Sequence, residues 1–250
     1  MTDTSPLEAL ARRNGLHVEG LVLRLLEESD APDVLAHFAD PRVVEFLDID
    51  PLSTLEDALD TIGWAQTVCA EGRGLRWALR DARDGGFIGT CGFNALVFQR
   101  GRRGEVAYDL SPAWWGRGVM AAVMPRLMEF GFDALSLHRL EAMVTPGNER
   151  SRRLLERQGF VLEGRLKDYG FWKGRYWDQF VYGLTRAGAG TTLEPDQTAG
   201  RSPLSQRRIG EESPGSTATR RRVTPAGGDP RDSATESKPP TTLHLSVRQG

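Results

Sequence analysis

Residues that bind metals or form disulfides are scarce in this chain. Its 250 residues include only two cysteines and four histidines. Cys69 and Cys91 belong to no CxxC pair, and no two histidines are spaced i, i+4 along the chain. Closely spaced Cys and His ligands are typical of zinc sites, and a high cysteine content is typical of disulfide-stabilised secreted domains. The sequence therefore predicts no metal site and no disulfide framework.

Long apolar runs and an excess of one charge are also missing. No apolar run approaches the roughly 18 residues that a membrane-spanning helix needs. The N-terminal residues include Asp3, Glu8, Arg12 and Arg13 and lack the apolar core of a signal peptide. The formal net charge of −2 gives no electrostatic reason to expect nucleic acid or an anionic membrane as a partner. These features predict a soluble, cytoplasmic protein.

Aromatic residues are absent from the last quarter of the chain. Every Trp, Tyr and Phe lies at or before Tyr182, and residues 188–250 are rich in Gly, Pro, Ser, Thr and Arg. A segment with so little apolar surface cannot offset the entropy lost on ordering. We therefore expect an N-terminal extension at 1–17, one domain at 18–187 and a disordered low-complexity tail at 188–250. The arginine run 220–222 in that tail is expected to be solvated.

Apolar periodicity in the first 187 residues predicts both helices and strands. The predicted strands cover 21–26, 75–80, 87–93, 105–110, 139–144, 160–163 and 177–184. The predicted helices lie near 28–38, 41–46, 53–66, 119–132 and 148–158. The first would be capped by Ser29 or Asp30, and the third by a Ser53–Glu56 capping box with Leu59 and Ile62 on its apolar face. This order predicts an α+β fold, a sheet with helices on its faces.

A glycine loop joins strand 105–110 to the helix that follows it. Residues 111–120 read Ser-Pro-Ala-Trp-Trp-Gly-Arg-Gly-Val-Met. Between a strand and a helix, main-chain N–H groups and the helix dipole form an anion site, and Gly116 and Gly118 allow a phosphate to approach the chain closely. Arg117 adds positive charge. An ordinary strand-to-helix turn is the alternative, because short glycine loops are common.

Other motifs accompany this loop in a fixed order. They are Glu105–Leu110, Trp114–Met120, Arg139–Ala142, Asn148–Ser151, Leu155–Phe160 and Glu163-Gly164. With them the chain resembles the GNAT superfamily of N-acetyltransferases, and within it the ribosomal-protein-alanine N-acetyltransferase-like (RimJ/RimL-type) branch. The resemblance covers residues 18–186. It implies the GNAT acyl-CoA N-acyltransferase fold: a mixed, mostly antiparallel sheet flanked by helices, with splayed strands that form a CoA cleft.

The resemblance also implies the residues that bind acetyl-CoA, the expected co-substrate. Main-chain amides of the loop would bind the pyrophosphate, at Gly116, Arg117, Gly118, Val119 and Met120. Main-chain groups of the splayed strand 105–110 would contact the pantetheine arm, at Ala107, Tyr108 and Leu110. Asn148 matches the family's CoA-contacting asparagine and can also cap its helix, and Ser151 lies one turn further on the same side. Trp115 and Met120 depart from the usual superfamily loop and are typical of this branch.

The implied reaction is direct attack of a neutral primary amine on the acetyl thioester in a ternary complex. Glu105 is the candidate base, acting directly or through water, and a solvated or salt-bridged strand-end acid is the equal alternative. The usual superfamily acid, a tyrosine, is replaced here by Leu155. The candidate that protonates the thiolate is therefore Ser151, or Tyr169 from a later loop. Alignment of the two substrates in one cleft can supply much of the rate without any base.

The expected acceptor is a protein N-terminus or a small-molecule amine, and the protein is expected to be a monomer or homodimer. Asp48 and Asp50 fall in the acceptor-side loop, where acids would suit a cationic amine, although a solvated loop fits them equally well. Aromatic residues also occur in segments that can line the pocket, and most are expected in the core: Phe46, Trp77, Phe93, Tyr108, Trp114, Tyr169, Phe171 and Trp172.

Two other functions are compatible with parts of this pattern. A non-catalytic acyl-CoA-binding sensor would keep the glycine loop and Asn148 and lack turnover. A nucleotide-phosphate enzyme would use the loop alone, but the chain has neither a Walker lysine-serine pair nor a GxGxxG motif. The sequence therefore favours an acetyl-CoA-dependent N-acetyltransferase.

Overall fold

The computed structural model describes residues 6–13 and 16–188. The predicted tail, including the arginine run, lies outside the described residues except for Gly188. The described α-helices are α1 (Pro6–Arg13), α2 (Ala31–Phe38), α3 (Pro41–Val44), α4 (Leu55–Ala70), α5 (Val119–Glu129) and α6 (Glu149–Arg157). The strands are β1 (Leu21–Leu25), β2 (Leu75–Asp81), β3 (Phe87–Val97), β4 (Arg103–Leu110), β5 (Arg139–Val144), β6 (Val161–Trp172) and β7 (Arg175–Thr185).

The strands form one sheet in the order β1-β2-β3-β4-β5-β7-β6. Every neighbouring pair is antiparallel except β4 and β5, which are parallel. Their register ends after the pairs Arg103–Arg139, Gly104–Leu140 and Glu105–Glu141. Beyond Glu105 the two strands are no longer paired with each other, which produces a gap between them. The predicted fold class, a mostly antiparallel sheet with flanking helices and a splayed parallel pair, is confirmed.

Two clusters of buried apolar side chains hold the helices on the sheet. Neighbouring residues of β2 belong to different clusters: Trp77 packs edge-on against Phe130 with ring centres 5.1 Å apart, whereas Ala78 packs with α2 and α4. Successive strand residues point to opposite faces, so the clusters lie on opposite sides of the sheet. Leu7 and Ala11 of α1 are buried with Trp77. Part of the expected N-terminal extension therefore packs on the domain, and the division of the chain at 17 and 187 stays a prediction.

The predicted cap of α4 is wrong by one residue. The Asp57 amide donates to Thr54 Oγ1 over 3.1 Å, and the Thr54 amide donates to the Asp57 carboxylate over 2.9 Å. The predicted apolar face of α4 is right only in part. Ile62 is buried as predicted, but Leu59 is 39% exposed. Ser53 is suited to capping as well, but its amide and hydroxyl instead donate to the Asp57 carboxylate.

The predicted cap at the start of α2 is also corrected. Residues Glu28–Asp30 form a 3₁₀ turn, and the Asp30 side chain makes no capping bond to α2. Its fully buried carboxylate instead accepts bonds from Arg24 Nη1, over 2.8 Å, and from Arg80 Nη2. Burial alone would raise the pKa of Asp30, but these two guanidinium groups and the Glu27 amide lower it below its usual value. Asp30 therefore joins β1 and β2 to the start of α2.

The last hairpin is longer than predicted. Strands β6 and β7 pair from Val161–Gly183 to Trp172–Arg175, whereas the predicted strands cover only 160–163 and 177–184. β6 is an edge strand with almost every side chain exposed, so it lacks the alternation that predicts a strand. Tyr169 consequently lies in β6 and not in a loop. Lys173 and Gly174, both at positive φ, form the turn that closes the hairpin.

Candidate active site

The glycine loop leads from the end of β4 into the first turn of α5. Gly116 and Gly118 have φ of 71° and 76°, in the left-handed region that favours glycine. Gly118 is the N-cap of α5, and the first main-chain bond at this helix end runs from the Ala122 amide to the Gly118 carbonyl, 3.1 Å. The amides before Ala122 have no partner within the helix, as at any helix start. The loop thus presents donors at the positive end of a helix, as an anion site requires.

Helix α6 faces this loop across a cavity of about 450 Å³. The loop lines it with Trp115, Gly116 and Gly118, and α6 lines it with Arg150, Arg153 and Arg157. Arg117, the cation that the sequence suggested, instead lies over the Trp114 ring at 5.3 Å. We call the glycine loop together with the three α6 arginines the loop end of the cleft. The arginine spacing is visible in the sequence, but the packing that turns it toward the loop is not.

The Trp115 side chain connects the loop to the end of β4. Its indole Nε1 donates to the Leu110 carbonyl over 2.7 Å, and the Arg150 guanidinium lies 4.7 Å from its ring centre. The residues expected to contact pantetheine, Ala107, Tyr108 and Leu110, are all buried beside the gap. Since the Leu110 carbonyl already accepts one bond, a single lone pair remains on that oxygen.

Asn148 and Ser151 lie together at the start of α6. Asn148 Oδ1 accepts from the Ser151 amide over 3.2 Å, which confirms the predicted cap. The Asn148 side chain is buried, and in the described part of the chain no acceptor reaches its Nδ2. Ser151 Oγ is fully buried, 2.8 Å from Tyr108 Oη. Burial raises the pKa of the Tyr108 phenol, partly offset by its bond to Ser151, so the phenol keeps its proton at neutral pH.

Glu105 lies where β4 and β5 part. The Glu105 side chain is partly exposed, but the surrounding protein shields its carboxylate from most of the solvent. This desolvation, with the negative charges of Glu141 and Asp48, raises its pKa to about 7, against a smaller opposite effect of Arg76. Glu141 is paired with Arg139 Nε at 2.7 Å and Arg103 Nε at 3.3 Å.

No cation among residues 6–13 and 16–188 is paired with Glu105. We call Glu105, Glu141 and Asp48 the acid end of the cleft. Tyr169 lies within electrostatic range of this end. Burial and the charges of all three acids raise the pKa of its phenol. Asp50, the other acid suggested by the sequence, is exposed and is not among the groups that shift Glu105.

The turn of the β6–β7 hairpin is bonded to the segment at the end of α3. Lys173 Nζ donates to the carbonyls of Val44 and Glu45 in the α3 region. Trp172 and Trp177 stack there with ring planes 4° apart. Among the suggested aromatic residues, Trp77, Phe93 and Tyr108 are buried in the core, whereas Tyr169 and Phe171 are 52% and 62% exposed.

A buried polar network supports the start of the loop, and sequence reasoning missed it. Asp109 Oδ1 lies 2.8 Å from His37 Nε2, and His37 Nδ1 lies 2.8 Å from Ser111 Oγ. Asp109 Oδ2 accepts from Arg76 Nη2 over 2.8 Å and from Thr90 Oγ1 over 2.6 Å. Burial opposes the charge on Asp109, but His37, Arg76 and Thr90 lower its pKa below the usual value. Through His37, the network connects Ser111, the first residue of the loop, to α2.

The described residues contain no group of three or more His, Cys, Asp or Glu side chains arranged to hold a metal ion. None of their helices combines the length and apolar character needed to cross a bilayer.

Sequence comparison identifies the family. A model of the acetyltransferase (GNAT) domain matches residues 20–161. The uncharacterized N-acetyltransferase p20 of Bacillus licheniformis is 35% identical over 171 residues, which cover 68% of this chain and 96% of that protein. The ribosomal protein uS5-alanine N-acetyltransferase of Escherichia coli is 27% identical, over 74% of this chain and 94% of that enzyme. The chain therefore belongs to the GNAT acetyltransferase family.

Structural comparison gives the same fold. The spermidine N-acetyltransferase of Vibrio cholerae, solved in complex with CoA and spermine, matches with a TM-score of 0.59. The match covers 68% of this chain and 98% of that one at 23% identity, which shows the fold alone. The predicted family and enzyme class, an N-acetyltransferase, are confirmed.

Proposed function

We propose that the protein transfers the acetyl group of acetyl-CoA to a primary amine, on a protein N-terminus or a small molecule, by direct attack in a ternary complex. One observation carries this proposal. A glycine loop at the N-terminus of α5 and a carboxylate with a pKa of about 7 lie at opposite ends of the same gap between β4 and β5. Five residue steps of β4 separate Glu105 from Leu110, about 17 Å of extended chain. The cleft therefore has room for an elongated thioester between the two.

The loop end is the proposed site of the cofactor's pyrophosphate. The amides of residues 116–120 would donate to it, helped by the α5 dipole. Main-chain groups of Ala107, Tyr108 and Leu110 would hold the pantetheine arm, because β4 is released from β5 along this stretch. The buried Nδ2 of Asn148 supports a contact there, since an unpaired buried donor is costly unless a ligand satisfies it.

At the acid end, Glu105 is the proposed base. A group with a pKa of about 7 is half deprotonated at neutral pH and can accept a proton from an ammonium, directly or through water. The absence of a paired cation among the described residues keeps this carboxylate available.

Ser151 is the proposed acid that protonates the departing thiolate. Its hydroxyl lies 2.8 Å from the Tyr108 phenol, which can return a proton to Ser151 after it donates. Tyr169 is the second candidate acid, because it lies in β6 near Glu105 and has a raised pKa that preserves its proton.

The acid end also bears on the acceptor. Carboxylates around a shielded site attract a cationic amine, and Glu141 and Asp48 supply charge beside Glu105. Two of the proteins to which the chain is similar are named for a ribosomal-protein alanine and for spermidine. We therefore propose N-terminal peptides and polyamines as the first acceptors to compare. The cytoplasmic location and the monomeric or homodimeric state stay predictions.

Release of free CoA thiol, followed with a thiol reagent, tests the proposed function. The protein is mixed with acetyl-CoA and a panel of alanine- and serine-starting peptides, polyamines and aminoglycosides. We expect thiol release that requires an acceptor and is slowed in Glu105→Gln, with a matching gain of one acetyl group in the mass of the acceptor. Tight CoA binding without thiol release for any acceptor would instead favour the acyl-CoA sensor.

A further inference from the structure

Helix α6 presents a row of three arginines to the cavity at the loop end. Arg150, Arg153 and Arg157 are spaced i, i+3 and i+7, which places them on one helix face. All three are exposed and all three line the cavity. The row therefore concentrates positive charge beside the amides of the glycine loop.

The pairing of these arginines differs from that of their neighbours. Arg152, on the adjacent face of α6, is bonded to Glu149 and to Tyr182 Oη. In the described part of the chain, by contrast, no carboxylate pairs with Arg150, Arg153 or Arg157. Arg150 also lies in the first turn of α6, where the helix dipole disfavours a cation. Unpaired guanidinium groups gathered beside a helix N-terminus repel each other, and an anionic ligand removes that repulsion.

The row is longer than one pyrophosphate requires. Arg157 lies seven positions after Arg150, and at 1.5 Å per residue this is about 10 Å along the helix. Arg150 is held over Trp115 and is therefore next to the loop. Arg153 and Arg157 lie about one and two turns further along α6 and line the same cavity. Coenzyme A carries a further phosphate, a monoester at the 3′ position of its ribose. A guanidinium group can bind a phosphate through two parallel N–H···O hydrogen bonds.

We propose that Arg153 and Arg157 form a subsite for the 3′-phosphate of CoA, so that this protein selects CoA over dephospho-CoA. Arg150, whose guanidinium lies over the Trp115 ring, is the arginine of the row assigned to the loop itself. The inference rests on the proposed function, since it assumes that CoA occupies the loop end. It adds a specificity determinant that acts on the cofactor and not on the amine.

Calorimetric titration of the full chain with CoA and with dephospho-CoA tests the subsite. Wild-type protein should bind CoA at least about tenfold more tightly, the difference expected for one charge-assisted phosphate contact. The double variant Arg153→Ala/Arg157→Ala should lose that preference, with weaker CoA binding and nearly unchanged dephospho-CoA binding. Arg126→Ala is the matched control, because Arg126 is an exposed α5 arginine paired with Glu129 and away from this cavity. It should leave both affinities unchanged.

The outcomes separate this inference from the proposed function. Wild-type protein that binds both ligands equally overturns the 3′-phosphate subsite and leaves acetyl transfer standing. A double variant that weakens both ligands by the same factor also overturns it, because the arginines would then act on the shared pyrophosphate. Wild-type protein that binds neither ligand overturns the proposed function, and the inference with it. The melting temperature of each variant, expected to match wild type at these exposed positions, shows that the fold is intact.

Discussion

The loop end of the cleft is basic, whereas the acid end carries Glu105, Glu141 and Asp48. The loop end uses groups whose charge or dipole does not change near neutral pH: main-chain amides, a helix terminus and guanidinium groups. The acid end contains a carboxylate with a pKa of about 7. Fixed positive charge suits binding of an anion, and a titratable group suits proton transfer. In the proposed function, this difference separates cofactor binding from proton transfer.

Removal of the proposed base should have the largest effect on activity. Glu105→Gln keeps the shape of the acid end and abolishes proton acceptance, so kcat/KM should fall by about 10²–10⁴-fold. The affinity for CoA, measured by titration, should stay unchanged because the loop end is intact. Asp50→Asn is the matched control, since Asp50 is an exposed acid of the same region, and its kcat/KM should equal that of wild type. A small loss in Glu105→Gln would indicate that alignment alone supplies the rate.

Removal of Asp109 should have the largest effect on stability. Asp109→Ala leaves Arg76 buried without its carboxylate, which costs about 3–5 kcal/mol of unfolding free energy. Because the folded-state pKa of Asp109 is lowered, its contribution is present above the unfolded pKa and is lost as pH falls through the folded one. Denaturant unfolding at pH 7 measures the loss. Asp133→Ala, which removes an exposed carboxylate from the exposed Arg186, should change stability little, and equal losses would contradict the network's role.

Removal of the proposed acid should have a smaller effect on turnover. Ser151→Ala should lower kcat by about a hundredfold, at the low end for proton transfer, since Tyr108 and water remain nearby. The paired variant is Tyr169→Phe, which should retain wild-type kcat. The opposite pattern, a loss in Tyr169→Phe alone, would assign the acid to Tyr169.

Distortion of the glycine loop should mainly weaken cofactor binding. Gly118→Val forces a side chain onto a residue with φ of 76°, a strain of about 1–3 kcal/mol, so CoA affinity should fall about tenfold or more. Gly72→Val is the matched control: Gly72 has φ of 70°, equally open surroundings and a position after α4. It should lose similar stability and keep CoA affinity. Unchanged CoA affinity in Gly118→Val would refute the loop assignment.

Local features of this chain were predictable, and features made by distant contacts were not. Gly118 and Asn148 follow from backbone rules that act within a few residues, a positive φ and a helix cap. His37 and Asp109 are 72 positions apart, and neither has a local pattern that indicates the other. Strand β6 was underestimated because an exposed edge strand needs no alternation. The spacing of the α6 arginines is visible in the sequence, but only the packing of α6 shows that their face lies toward the loop.

The pH dependence of kcat/KM, compared between wild type and Glu105→Gln with one acceptor, tests the account most directly. In wild type the rate should rise through an apparent pKa of about 7, because Glu105 must be deprotonated to accept the proton. In the variant, the rise of the rate around pH 7 should be absent. Any pH dependence that comes from ionisation of the acceptor amine itself should remain. An identical profile in both proteins would contradict the assignment of proton transfer to the acid end.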